Sequence, residues 1–182
     1  MGEPKPSPDG RTLAVAVAVA VAGTGTGKSE ESCGLIDLTA PFPQKSMRHL
    51  APVDATRGFW PAAWSPDGRR MAGTSRTATT PEPGVVIYSF ETEKYERVTN
   101  DEYPIAWFPD GRCVLYRDKN SLLAVDVATK TTKPVLDDLG IGVGSLALAG
   151  DGRTLLSVRT DYQADIWMLG ATDRAPGTPS GR

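Results

Sequence analysis

Ser65-Pro66-Asp67-Gly68-Arg69 decides the fold, because the same corner recurs along the chain. It stands again as Ser7-Pro8-Asp9-Gly10-Arg11, as Phe108-Pro109-Asp110-Gly111-Arg112 and, with its first half altered, as Ala149-Gly150-Asp151-Gly152-Arg153. The four Asp residues are 58, 43 and 41 positions apart, and the last two spacings fall on the roughly 40–45 residue period of a four-stranded propeller blade. Asp-Gly supplies the positive-φ positions of a tight hairpin and Pro pre-sets φ ahead of them. Each copy therefore predicts a pair of antiparallel strands: 62–65 with 70–75, 105–108 with 113–117, and 145–148 with 154–159.

Further strands follow each hairpin. The patterns at 84–90 and 95–99, and at 121–127 and 133–136, are joined by the short polar turns 91–94 and 128–131. The first unit repeats this grammar at 35–38 and 47–50, its extra length assigned to loops at 23–34 and 40–46. The alternating run Leu13-Ala14-Val15-Ala16-Val17-Ala18-Val19-Ala20-Val21-Ala22 has the look of a signal-peptide core ending in a cleavage site. Prolines crowd its approach, and alternating Val forms strands, so it is read as a buried β-strand. Helical periodicity is sustained nowhere. The expected blade units are 1–58, 59–102, 103–144 and 145–170, with 165–169 as the third strand of the last and 171–182 as a flexible tail.

The stretches PAAWSPDGRRMAGTS (61–75), PIAWFPDGRCVLYRD (104–118) and LALAGDGRTLLSVRT (146–160) resemble the TolB-like, WD-repeat-like β-propeller repeat. That repeat also occurs in propellers of prolyl-oligopeptidase-type enzymes and at the C-termini of bacterial Ser/Thr protein kinases, whose last strand is similar to 164–169. The resemblance covers 4–170. It implies an all-β propeller of about four blade units of four antiparallel strands, and a non-catalytic module that binds or senses a protein or peptide as part of a larger bacterial protein. An alternative it carries is a propeller gating a peptidase, although the chain has no GxSxG nucleophile motif. Only six residues precede Ser7 and a Pro/Gly/Ser tail follows 170, so an incomplete or open propeller is expected, with its blade edges available for self-association.

Composition narrows the function further. With 20 Lys and Arg against 22 Asp and Glu the formal charge is −2, whereas nucleic-acid binders need a basic surplus to displace counterions. The 19 Gly and 15 Pro beside 40% hydrophobic residues mark a turn-rich folded protein. His49 is the single histidine, too few for a His-based metal site or a Ser-His-Asp triad. Cys33 and Cys113, 80 positions apart, fit neither a CxxC pair nor a zinc knuckle and are read as unpaired thiols. No cofactor, metal or membrane insertion is expected, and the compartment is left unassigned.

One sharp motif remains. Ala22-Gly23-Thr24-Gly25-Thr26-Gly27-Lys28-Ser29 satisfies a relaxed phosphate-loop pattern, in which Gly27 and Lys28 would cradle phosphate and Ser29 would ligate Mg²⁺. Such a loop must open a helix, whereas Gly34 and Pro41 follow closely and 35–38 reads as a strand. Nucleotide binding is therefore an alternative function only. Trp60, Trp64 and Trp107, on or beside the innermost strands, either form a binding face or fill the taper between blades. Asp37 and Asp126 are expected to cap the turns after them. The pairs Asp137-Asp138 and Glu30-Glu31 are expected to be solvated loop charge.

Overall fold

A computed structural model describes residues 3–20, 29–41, 46–77, 80–100, 103–140 and 143–159. Every regular element among them is a strand. The first sheet runs β1 (Lys5–Pro6), β2 (Thr12–Ala20), β3 (Ser29–Asp37) and β4 (Met47–His49), and the second β5 (Gly58–Trp64), β6 (Arg70–Arg76), β7 (Val86–Ser89) and β8 (Lys94–Arg97). The third holds β9 (Tyr103–Trp107), β10 (Cys113–Asp118), β11 (Ser121–Asp126) and β12 (Thr132–Leu136), and the fourth pairs β13 (Val143–Leu148) with β14 (Leu155–Arg159). Each sheet is an antiparallel meander of neighbouring strands. Among the described residues no hydrogen-bonded strand joins the fourth sheet to the first, so the sheets form an open propeller. The third strand expected at 165–169 and the tail at 171–182 lie outside the described residues.

The recurring corner is built by its side chains. In each copy the Gly amide donates to the carbonyl three residues back, at 2.9 Å, from Gly10 to Ser7 and likewise at Gly68, Gly111 and Gly152. The Asp carboxylate accepts the amide two residues on, at 3.0 Å from Arg11 and from Arg69. Ser65 Oγ donates to Asp67 at 2.6 Å and accepts the Arg70 amide at 2.8 Å, closing the loop on itself. Sequence reasoning assigned positive φ to both Asp and Gly. Only the glycines adopt it, at +69°, +70°, +66° and +65°, because Asp takes the second central position of a turn in which Pro and Asp both keep negative φ. The altered first half of the fourth corner, Ala149-Gly150 in place of Ser-Pro, does not loosen the turn. The Gly152 bond is retained, and Thr154 Oγ1 donates to Asp151 at 2.8 Å in place of the missing Ser.

The alternating run at the start of the chain is β2, paired residue for residue with β3 from Thr12↔Asp37 to Ala20↔Ser29. This corrects the loop expected over 23–34 and the loop placement of Glu30-Glu31, since β3 begins at Ser29. A long strand with an open ladder recruits Ser-Glu-Glu-Ser into pairing despite its weak β-propensity, which is set by context.

Period-2 alternation sends successive residues of the second strand to opposite neighbours. Met71 joins Phe59, Val86 and Tyr88 against Ala14, Cys33, Leu35 and Leu50 of the first sheet. Ala72 joins Val85, Ile87 and Val98 against Trp107, Val114, Tyr116, Val125 and Val127 of the third. The outer strands are shielded differently. β12 is exposed along its length and carries Lys133 and Pro134, two devices that blunt an edge against further pairing. On β14, Leu156 and Val158 are 60% and 58% exposed.

Cys33 and Cys113 are free thiols, as the sequence suggested. Burial pushes the Cys33 thiol up to about 12; Cys113, only half-buried, is also raised by burial but stays open to reagent. Since thiolate is the reactive form, a disulfide-exchange reagent at pH 8 is expected to titrate one thiol per native chain and two after unfolding. Peptide mapping should find the fast label on Cys113, and rapid labelling of Cys33 would contradict this packing.

Candidate functional site

The innermost strands β1, β5, β9 and β13 surround a cavity of about 410 Å³. Its lining includes Glu3, Lys5, Trp60, Tyr103, Ser145 and Leu146. Trp60 is held by Arg76, whose guanidinium lies 4.8 Å from the ring centroid, a cation–π arrangement that fixes a partly exposed aromatic. Tyr103 is 42% exposed. Lys5 Nζ meets Glu3 Oε2 at 3.1 Å, so a paired cation and anion border the aromatic wall.

The loop leading into β5 is clamped by ions that sequence reasoning missed. Arg57 Nε donates to Asp54 at 2.5 Å and its Nη1 to Glu82 at 2.8 Å. Arg97 Nη2 reaches Ser75 Oγ at 2.7 Å and Glu82 at 3.3 Å. The Arg57 guanidinium holds the Asp54 carboxyl well below its usual range, and Glu82 is lowered by the same arginine. The network ties the loop before β5 to the loop between β6 and β7. Its members are separated by up to 43 positions in sequence, and no local motif marks them.

The three tryptophans divide between the two readings offered by the sequence. Trp60 faces the cavity. Trp64 Nε1 donates to the Lys5 carbonyl of the first sheet at 2.9 Å, and Trp107 Nε1 to the Ala63 carbonyl of the second at 3.2 Å. These two occupy the same place before the corner in successive units, and each fastens its sheet to the preceding one. Asp37 accepts the Thr39 amide and hydroxyl, and Asp126 accepts the Ala128 and Thr129 amides, so both cap turns. Asp138 accepts from Asn120 and from the Gly140 amide. Ser29 opens a strand antiparallel to β2, where a phosphate loop requires a helix, and Gly27 and Lys28 lie outside the described residues. Among the described residues no group of three or more His, Cys, Asp or Glu side chains is placed to hold a metal ion. No helix there is long and apolar enough to cross a membrane.

Antiparallel sheets packed face to face, with inner strands around an axial cavity, define an open β-propeller. No family model matches the chain, and no curated protein sequence does. Among solved structures it is similar to TolB from Acinetobacter baumannii, at 18% identity and a TM-score of 0.60, over 87% of this chain and 37% of that one. The putative TolB from Agrobacterium tumefaciens is 19% identical with a TM-score of 0.63, over 86% and 53% of the two chains. A structure from a study of two prolyl endopeptidases is 15% identical with a TM-score of 0.54, over 86% of this chain and 25% of that one. The chain thus spans about a third to a half of the TolB structures that it matches, and the likeness is one of fold.

Proposed function

We propose that this chain is a non-catalytic binding module that accepts an extended protein segment at its axial cavity. The observation that carries this reading is the pairing of Trp60 and Tyr103, on equivalent inner strands, with the Lys5–Glu3 pair around one cavity. Aromatic anchors supply contact area at small entropic cost, and a polar border orients the guest. A cavity of about 410 Å³ suits a short extended peptide and not a folded domain. The corner carboxylates support a non-catalytic role, since each already accepts backbone amides and holds a hairpin.

Peptides selected from a random display library on the intact chain are expected to lose at least about tenfold in affinity, near 1.4 kcal/mol, on Trp60→Ala. Circular dichroism should show the variant folded, because Trp60 is outside both apolar clusters. Selected peptides that bind Trp60→Ala and Tyr103→Ala as tightly as the parent would sink the axial reading.

A further inference from the structure

Successive corners stack on one another, but one junction is filled and another is open. Between the second and third sheets, Arg70 lays its guanidinium 4.8 Å from the centroid of Trp107. Its Nη2 donates to the Gly111 carbonyl at 2.8 Å. Between the first and second sheets the same corner contact is present. A Cβ placed on Gly68 would lie 3.9 Å from Pro8 Cδ, just as one on Gly111 would lie 3.9 Å from Pro66 Cδ. Gly111 has Arg70 Nη2 as a second neighbour at 3.9 Å, while Gly68 has Pro8 alone within 4 Å. The reason lies in the sequence: three residues after the corner Asp, the second unit has Arg70 and the first has Thr12.

A cavity of about 430 Å³ marks this first junction, lined by Ser7, Asp9, Thr12, Trp64, Asp67 and Gly68 among others. Trp64 is the counterpart of Trp107. Phe90 stacks on one of its faces, with centroids 4.9 Å apart and planes 7° from parallel, and the indole also borders the cavity. Two carboxylates, Asp9 and Asp67, border the same space. Hydrogen bonds from Ser7 and Ser65 hold both below the usual carboxylate range, so both are anionic at neutral pH. A planar cation that stacks on an aromatic face and donates in its own plane is a guanidinium, and an ammonium does this less well.

We propose that this cavity receives an arginine side chain delivered by a partner polypeptide, its guanidinium over Trp64 and directed at the Gly68 carbonyl, as Arg70 sits at the next junction. The site is at the far end of β5 from Trp60, roughly 13 Å away at 3.3 Å per residue, so its test stands apart from that of the axial cavity. An arginine within a chain presents its guanidinium without the α-ammonium and α-carboxylate of the free amino acid, whose interactions with Asp9 and Asp67 oppose each other.

Calorimetric titration of the full chain with acetyl-Ala-Arg-Ala-amide is expected to show binding at least about tenfold tighter than with the citrulline or lysine peptide or with free L-arginine. Thr12→Arg, which restores the internal guanidinium, is expected to abolish that binding and raise Tm, and Trp60→Ala to leave it unchanged. In the parent chain, the Trp64 indole N–H should be the one of four tryptophan resonances to shift in a ¹⁵N–¹H spectrum, which keeps the test independent of any variant's folding. No binding of the arginine peptide, equal binding of the citrulline peptide, retained binding in a folded Thr12→Arg chain, or a shift confined to other indoles would each overturn the assignment. Equally tight binding of free L-arginine would overturn the polypeptide source.

Discussion

Trp107→Ala is expected to lower the unfolding free energy by about 3–5 kcal/mol, the range for emptying a buried large aromatic site. Trp107 is 6% exposed, contributes to the apolar cluster between the second and third sheets and donates Nε1–H to the Ala63 carbonyl. Removing the ring also takes away the surface on which the Arg70 guanidinium rests. Trp107→Phe keeps most of the volume and drops the donor, so its cost should be nearer about 1–2 kcal/mol. Urea denaturation of the three chains measures both differences. A loss below about 1 kcal/mol for Trp107→Ala would mean that the ring does not fasten the sheets, since ordinary surface changes stay within about 0.5 kcal/mol.

Gly73→Val should be comparably damaging. A Cβ at Gly73 would collide with the Trp60 carbonyl oxygen and with the Phe59 ring. Gly73 pairs with Pro61 across the bulge in β5 and with Val86 on the other side, so it sits in mid-sheet with no room to retreat. A ring can rotate, but a carbonyl held in a strand moves only with its backbone. The expected cost is about 3 kcal/mol or more, a large share of the roughly 5–15 kcal/mol by which native domains are stable. Loss of soluble protein or a collapse of the urea midpoint would be the result. Gly150→Ala is the matched control, because nothing lies within 4 Å of its Cβ position, and it should change stability by no more than about 0.5 kcal/mol. Equal stability of Gly73→Val and the parent would show that β5 does not approach β6 as described.

The first expectation concerns a junction between sheets, and junctions are where sequence reading and structure part company. The corner is a local event. Ser, Pro, Asp and Gly satisfy one another within five residues, so its four copies and their spacing were legible in the chain, and with them the hairpins and the propeller. The alternation in Leu13-Ala14-Val15-Ala16 likewise announced a strand, because side chains two apart share a face whatever lies opposite. The caps at Asp37 and Asp126 were legible for the same reason: donor and acceptor are two or three residues apart.

The strand partners beyond the corner were less legible. Ser29 to Gly34 looked like loop, and it became strand because β2 held out an open ladder of matching length, a property of the neighbour and not of those residues. The tryptophans make the same point. Their positions in the repeat predicted an inner location, yet only packing assigned Trp60 to the cavity and Trp64 and Trp107 to the seams.

What the chain settled by itself is therefore the repeating corner and its spacing, since every interaction that makes the corner lies within a few residues and is written in their order. What tertiary structure alone decided is how distant loops and units meet: the ionic clamp joining Arg57, Glu82 and Arg97 around the second sheet, and the contrast between a junction occupied by Arg70 and one left open at Thr12. Those contacts join residues from 15 to 41 positions apart, and their energies depend on distances that exist only after the strands and sheets have packed.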